Sequence, residues 1–96
     1  MEQRLTNRPL AETKLAPRNG YKFVLIAYMH GLYMRRCSQG HEGAIVEHSI
    51  NFRNESEFAA WLASDKIVFD DPILHNELRR CANDLFEIRR SAATDA

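Results

Sequence analysis

Hydrophobic residues form distinct patterns along the chain, and each pattern predicts an element. The segment from Lys22 to Met29 is apolar on both faces, which is typical of a strand with neighbours on either side. After a bend or bulge at Gly31, residues 32–37 continue this strand or pair back as a second one. Residues 44–52 alternate between apolar and polar, as in an antiparallel strand with one buried face. This alternation also predicts that His48 lies in the interior.

Two helices are predicted after these strands. Asn54, with Glu57 three residues later, approximates a capping box and begins a short helix. Asp70 and Asp71 before Pro72 begin a longer one, because aspartate caps free amides and proline suits the first helical position. The apolar seam of the longer helix consists of Leu74, Leu78, Cys81, Leu85 and Ile88.

The two ends of the chain lack such patterns. In residues 1–20, three leucines recur every five residues, which fits neither helix nor strand, and two prolines interrupt any helix. This segment is predicted to be an extended or flexible N-terminal arm, and residues 91–96 a frayed tail. Residues 21–90 then form one α+β domain. Its predicted fold is a small antiparallel sheet of two to three strands, with the short helix and the longer C-terminal helix packed on one face.

Composition agrees with one small globular domain. The chain has 96 residues, 45% of them hydrophobic and 27% charged. A chain this short buries only about 60–65% of its extended surface, which leaves little interior for an enclosed substrate pocket. Its apolar runs are far shorter than the roughly 20 residues of a membrane-spanning helix. We therefore expect a cytoplasmic protein without membrane contact, whose Cys37 and Cys81 are reduced core thiols.

The sequence carries no recognisable catalytic or metal-binding motif. Gly-x-Ser-x-Gly, the glycine-rich phosphate loop and His-Glu-x-x-His are all absent. The tightest grouping of metal-ligand residues, Cys37, His41 and His48, lacks the paired short spacing of structural zinc sites. Asp70 and Asp71 are explained as a helix cap. We expect no catalytic residue, no metal and no cofactor, and predict that the protein is not an enzyme.

Charge is distributed unevenly, although the formal net charge is zero. Residues 1–40 hold seven basic and two acidic side chains. Within them, Tyr33 with Arg35 and Arg36 combines stacking and phosphate-binding groups, as single-strand nucleic-acid binders do. Residues 55–77 are acidic, and their carboxylates either contact a basic partner surface or form a solvated face with two helix caps. These candidate partner-binding residues are Glu55, Glu57, Asp65, Asp70, Asp71 and Glu77.

Residues 22–90 resemble a known group of proteins in their organisation. A strongly apolar first strand is followed by a strand ending Ser49-Ile50-Asn51-Phe52, by the helical segment Glu57-Phe58-Ala59-Ala60-Trp61-Leu62, and by a closing helix ending Ile88-Arg89-Arg90. This order resembles small phage-encoded inhibitors of bacterial defence complexes, including anti-CRISPR proteins. The resemblance implies a stoichiometric inhibitor that docks on a nuclease or surveillance complex. It assigns no role to individual residues.

These observations lead to three hypotheses of function. The first is a non-catalytic binding protein, a phage or mobile-element inhibitor that docks on a host nuclease or nucleic-acid-handling complex through the acidic stretch and the arm. The second is a small nucleic-acid-binding protein that uses Tyr33, Arg35, Arg36 and the basic N-terminal half. The third is a structural or assembly protein, in which the arm joins two copies into a homodimer.

Overall fold

The computed structural model describes residues 8–39 and 45–95, and within them four strands are followed by three helices. The strands are β1 (Ala11–Lys14), β2 (Tyr21–Tyr28), β3 (Gly31–Gln39) and β4 (Ile45–Phe52). The helices are α1 (Glu55–Ser64), α2 (Lys66–Phe69) and α3 (Pro72–Asp95).

The strands form one antiparallel sheet in the order β1-β2-β3-β4. The apolar β2 lies between β1 and β3, as its two apolar faces predict: Leu25 is opposite Thr13 on one side and Met34 on the other. The α+β class and the antiparallel sheet are confirmed. The predicted number of two to three strands is wrong, because four residues of the predicted arm form β1. Their sequence, Ala-Glu-Thr-Lys, alternates uncharged and charged residues and is half-buried at Ala11 and Thr13. With one apolar side chain, this pattern is too short to predict a strand, and pairing with β2 makes it one.

The bend predicted near Gly31 is the β2–β3 hairpin. Gly31 begins β3 directly opposite Tyr28, so Met29 and His30 form the turn between the two strands. A side chain at Gly31 would place its Cβ 2.7 Å from the carbonyl oxygen of Phe52 on β4. Glycine is therefore required here because the β4 backbone approaches too closely for any Cβ.

The hydrophobic core lies between one face of the sheet and the helices. Phe23, Leu25 and Ala27 of β2 are buried, whereas the residues between them are only partly covered. Helix α3 packs against this face through buried residues. They are Leu74, Leu78, Ala82, Leu85 and Phe86.

The seam predicted for α3 is confirmed at its leucines and wrong at its end. Ile88 is 39% exposed, while Ala82 and Phe86 are buried. A seam with alternating spacings of four and three drifts around a straight helix of 3.6 residues per turn. Over four turns the drift carries Ile88 off the sheet.

The predicted helix starts are confirmed. The side chain of Asn54 accepts a hydrogen bond from the Glu57 amide at 3.0 Å, and the Glu57 carboxylate accepts one from the Arg53 amide at 2.7 Å. Asp71 caps α3 by accepting from the Leu74 amide at 3.3 Å, with Pro72 at the first helical position. The Asn54 and Asp71 side chains each satisfy an amide that helical geometry leaves without a partner.

Two further expectations differ from the structure. His48 lies opposite Arg36 but is exposed, because α1 packs on the Phe52 end of β4, where Phe52 meets Phe58 with ring centroids 5.2 Å apart. The interior assignment of His48 is therefore wrong. Helix α3 continues to Asp95, where a frayed tail from residue 91 was expected. The alanines of that segment favour the helix.

Replacing Leu78 by alanine tests the core between α3 and the sheet. Leu78 is fully buried, and a cavity at such a site costs about 2–5 kcal/mol. We expect the free energy of unfolding, measured by urea denaturation, to fall by that amount. Ile73→Ala on the same helix is the control: Ile73 is 58% exposed, so the change should stay within about 0.5 kcal/mol. Equal effects of the two substitutions would contradict this description of the core.

Candidate binding surface

Four of the six acidic candidates form ion pairs at the surface of the helices. Exposed pairs of this kind contribute only about 0–1 kcal/mol each, so they leave the carboxylates reachable. They do, however, balance the charge locally, and the stretch is not a uniform negative patch. Whether these residues contact a partner stays a prediction. The pairs are Glu55 with Arg90, Glu57 with Arg53, Asp70 with Lys66, and Glu77 with Arg80.

Asp65, the fifth acidic candidate, links α2 to the sheet. Its carboxylate accepts a hydrogen bond from the Val68 amide at 3.2 Å and forms an ion pair with Arg36 at 3.1 Å. The Arg36 guanidinium also lies 5.9 Å from the centre of the Tyr21 ring. Both side chains of the ion pair are only 15% exposed. Asp65 and Arg36 therefore hold the helices against β3.

Asp71, the sixth candidate, is buried at the start of α3. One oxygen of its carboxylate accepts hydrogen bonds from Arg18 Nε at 2.6 Å and Asn19 Nδ2 at 2.9 Å, and the other accepts from the Leu74 amide. Arg18 and Asn19 belong to the turn between β1 and β2, where Asn19 and Gly20 have positive φ angles of 54° and 82°. The hydrogen bond from Arg18 lowers the pKa of Asp71, although its burial opposes this.

The three candidate nucleic-acid contacts do not share one face of β3. Side chains alternate along a strand, so Tyr33 and Arg35 lie on one face and Arg36 on the other. Arg36 faces the helices and is bound to Asp65. Tyr33 and Arg35 face away from the helices, on a surface that no described helix covers. We call this surface the open face.

The open face consists of the outward side chains of all four strands. The described part of the molecule has two layers, sheet and helices, and its shortest dimension is 19 Å. Val24 and Ile26 are therefore only partly buried at the centre of the sheet. By strand register the open-face residues are Glu12, Lys14, Lys22, Val24, Ile26, Tyr28, Tyr33, Arg35, Cys37, Glu47, Ser49 and Asn51.

An aromatic depression lies at the hairpin end of the open face. Tyr28, His30, Tyr33 and Asn51 line a cavity of about 240 Å³. The rings of Tyr28 and His30 are stacked, with centroids 5.5 Å apart. Tyr33 donates its hydroxyl hydrogen to Ser49 Oγ at 2.8 Å, which fixes the orientation of its ring. The depression thus presents aromatic rings and an amide to a ligand.

Charges of both signs surround the apolar centre of the open face. Arg35 forms an ion pair with Glu47 at 3.2 Å. The Arg35 guanidinium is a permanent cation, and the neighbouring Tyr33 hydroxyl, followed by the Glu47 carboxylate, raises its pKa further. Lys14 lies beside β2 on β1 and is exposed. A half-buried apolar centre, with aromatic rings at one end and charged groups beside it, has the composition of a protein interface.

The described residues provide no cluster of side chains that would hold a metal ion. Among them, no three His, Cys, Asp or Glu side chains converge on a position where a metal ion would fit. Cys37 lies opposite Glu47 and His48 opposite Arg36, so the two side chains are on different faces of the sheet, and His41 lies outside the described residues. Cys37 and Cys81 are free thiols, and burial raises the pKa of Cys81. Across residues 8–39 and 45–95, no helix is long and apolar enough to span a membrane.

Comparison with family models, curated proteins and solved structures finds no match to this chain. The resemblance to phage-encoded inhibitors therefore stays an expectation drawn from the sequence. Tyr28, His30 and Asn51 were not predicted as site residues. The alternation of side chains on β2 and β4 shows that Tyr28 and Asn51 lie on one face of the sheet. Only the position of the helices shows that this face is the open one.

Replacing Asp71 by asparagine tests the hydrogen bonds that the Asp71 carboxylate accepts from Arg18 and Asn19. Folding lowers the pKa of Asp71 below its ordinary value of 3.8. The carboxylate therefore stabilises the fold above that pH, and the stabilisation is lost as the pH falls through the lower folded value. We expect Asp71→Asn to lower the urea midpoint clearly near pH 7, and the difference from the unsubstituted protein to narrow near pH 3.

The adjacent Asp70 is the control for this prediction. Asp70 is 60% exposed, and its side chain pairs with Lys66 at 3.4 Å. Asp70→Asn should therefore change the midpoint little at either pH. The prediction is contradicted if Asp71→Asn lowers the urea midpoint by the same amount at pH 7 and at pH 3. The charge of the carboxylate would then not stabilise the contact with Arg18 and Asn19.

Proposed function

We propose that this is a non-catalytic binding protein that docks on a partner protein through the open face of its sheet. The observation that carries the proposal is a continuous face of four strands that no described helix covers, with Val24 and Ile26 partly exposed at its centre. Apolar side chains at the centre of a sheet are normally buried by a second layer. A partner that covers this face would supply that layer and remove apolar surface from water.

The composition of the open face favours a protein over a polyanion. Tyr28, Tyr33 and Arg35 are residue types enriched at protein interfaces. Lys14 and Lys22 are accompanied by Glu12 and Glu47 on the same face. The acidic residues would repel phosphates, whereas a protein surface can match both signs.

The dimensions of the sheet suggest that the contact extends beyond it. The four strands have 4, 8, 9 and 8 residues. With strands about 4.8 Å apart and a rise of about 3.4 Å per residue they outline roughly 470 Å², whereas a standard interface buries about 800 Å² on each partner. The hairpin turn at one end of the face adds Met29, which is 45% exposed. We place the edge of the docking surface at this turn.

The finer identity of the partner follows the resemblance seen in the sequence. We propose a host nuclease or another nucleic-acid-handling complex, held in a stoichiometric, inhibitory complex in the cytoplasm. The acidic stretch is then a second contact at most, since Asp65 and Asp71 are engaged inside the protein.

Single-stranded nucleic acid is the second candidate, and the aromatic depression favours it. Bases stack on exposed aromatic rings with little dependence on sequence. Tyr28, His30 and Tyr33 offer three such rings within one depression. Arg35 lies on the same face, but Glu47 already balances its charge. This balance makes nucleic acid the weaker of the two candidates.

Alanine at Tyr28 tests the open face as the docking surface. Tyrosine is enriched among interface residues whose truncation to alanine costs about 2 kcal/mol or more, which is about thirtyfold in affinity. We expect Tyr28→Ala to weaken binding to the captured partner by about that factor. The measurement is a pull-down from bacterial lysate, identification of the partner by mass spectrometry, and calorimetric titration with the purified partner.

Two other variants distinguish this surface from the rest of the molecule. Arg79→Ala changes an exposed residue of α3 whose side chain contacts Asn76, and it should leave binding unchanged. Asp70→Lys reverses a charge in the acidic stretch. If Asp70→Lys abolishes binding and Tyr28→Ala does not, the acidic stretch is the interface and the open-face proposal fails.

Titration with labelled single-stranded DNA and RNA at two salt concentrations tests the second candidate. Binding through phosphates must weaken steeply as the salt concentration rises. If the protein binds an oligonucleotide in this way, and Tyr28→Ala removes the binding, the open face binds nucleic acid. The protein-docking proposal predicts no such binding.

A further inference from the structure

A second cleft lies across the hairpin turn from the aromatic depression. It has a volume of about 230 Å³, and it lies between the start of α1, the turn residue Met29 and the last turns of α3. Its apolar walls include Met29, Phe86 and Ala93. Its polar lining is rich in arginine: Arg53, Arg89 and Arg90.

Arg89 differs from the other partly buried arginines. Arg18 and Arg36 each pair with a carboxylate, at 2.6 and 3.1 Å. Arg89 instead donates from Nη2 to the carbonyl oxygen of Met29 at 3.1 Å, and its guanidinium lies 5.8 Å from the centre of the Phe86 ring. The Nε atom of Arg89 is buried, and no group of the described residues accepts a hydrogen bond from it.

The other arginines of the cleft have their charges balanced. Arg53 pairs with Glu57 at 2.9 Å, and Arg90 pairs with both Glu55 and Glu87. No carboxylate of the described residues forms an ion pair with Arg89. An arginine stem often covers apolar surface while its head stays in water. That explains the contact with Phe86, but it leaves the charge of Arg89 uncompensated and one donor unsatisfied.

We propose that this cleft binds a carboxylate on a short aliphatic stem, such as the side chain of a glutamate. The Nη1 and Nη2 groups of Arg89 suit two-point binding of a carboxylate, since Nη2 keeps a second hydrogen beyond the one that it donates to Met29. The apolar walls formed by Met29, Phe86 and Ala93 suit the methylene groups of the stem. Glu55 in the lining would repel a doubly charged phosphate more strongly than a carboxylate. The proposal rests on the cleft alone and holds whether or not the open face docks a protein.

Nuclear magnetic resonance with sodium butyrate as the probe tests this site. Butyrate carries one carboxylate on a three-carbon stem, and sodium chloride at the same ionic strength gives the reference. We expect saturable shifts of the Arg89 Nε–Hε signal and of the Met29 and Ala93 amide signals. In Arg89→Gln the Met29 and Ala93 amide shifts should no longer saturate over the same butyrate concentrations, because the affinity falls. A hydrogen bond to a charged group contributes roughly a tenfold or greater factor in affinity.

Two further variants and a second ligand, inorganic phosphate, serve as comparisons. Arg79→Gln removes an exposed arginine of the same helix and should bind butyrate unchanged. Arg89→Lys keeps the charge but not the two Nη groups, and it should bind more weakly than the unsubstituted protein; it also replaces Arg89→Gln if that variant does not fold. The proposal is overturned if the amide shifts are not saturable, if they are the same in both Arg89 variants as in the unsubstituted protein, or if inorganic phosphate binds more tightly than butyrate.

Discussion

The buried carboxylate of Asp71 connects the two layers of this protein at one end. It accepts hydrogen bonds from Arg18 and Asn19, in the turn that leads into β2, and from the amide of Leu74 in the first turn of α3. One side chain therefore sets where the long helix begins and where the central strand enters the sheet. Because a buried carboxylate without partners is strongly disfavoured, these three donors and Asp71 must come together, and the helix is held on one face of the sheet.

That arrangement determines which surface remains for binding. With the helices held on the face of Phe23, Leu25 and Ala27, the opposite side chains of β2 stay only partly covered. The Asp65–Arg36 ion pair secures the same arrangement from the middle of β3. Both pairs use carboxylates of the acidic stretch, for which the sequence predicts either a partner contact or a solvated face with two helix caps. The structural use of these charges makes the open face, rather than the acidic stretch, the stronger candidate for docking.

The fold class and most element boundaries follow from the sequence, but the candidate site follows only in part. The sequence predicts the caps at Asn54 and Asp71 because each cap bonds an amide only three residues away. It predicts β2 because the periodicity of apolar residues lies within one segment. Strand β1 was not predicted because its alternation covers only four residues with one apolar side chain, and such a segment becomes a strand only by pairing with β2. Tyr33 and Arg35 were found through residue type. Arg36, their neighbour, could not be separated from them without knowing which face the helices cover.

By itself, the sequence determined that the chain forms an antiparallel sheet followed by a short and a long helix, and that it lacks the motifs of common catalytic and metal sites. These properties depend on neighbours a few residues apart. The tertiary structure alone decided that β1 joins the sheet, that Arg36 and Asp71 act inside the protein, and that Tyr28, Tyr33 and Asn51 share one open face. Those properties depend on contacts between residues far apart in sequence, which periodicity and composition do not encode.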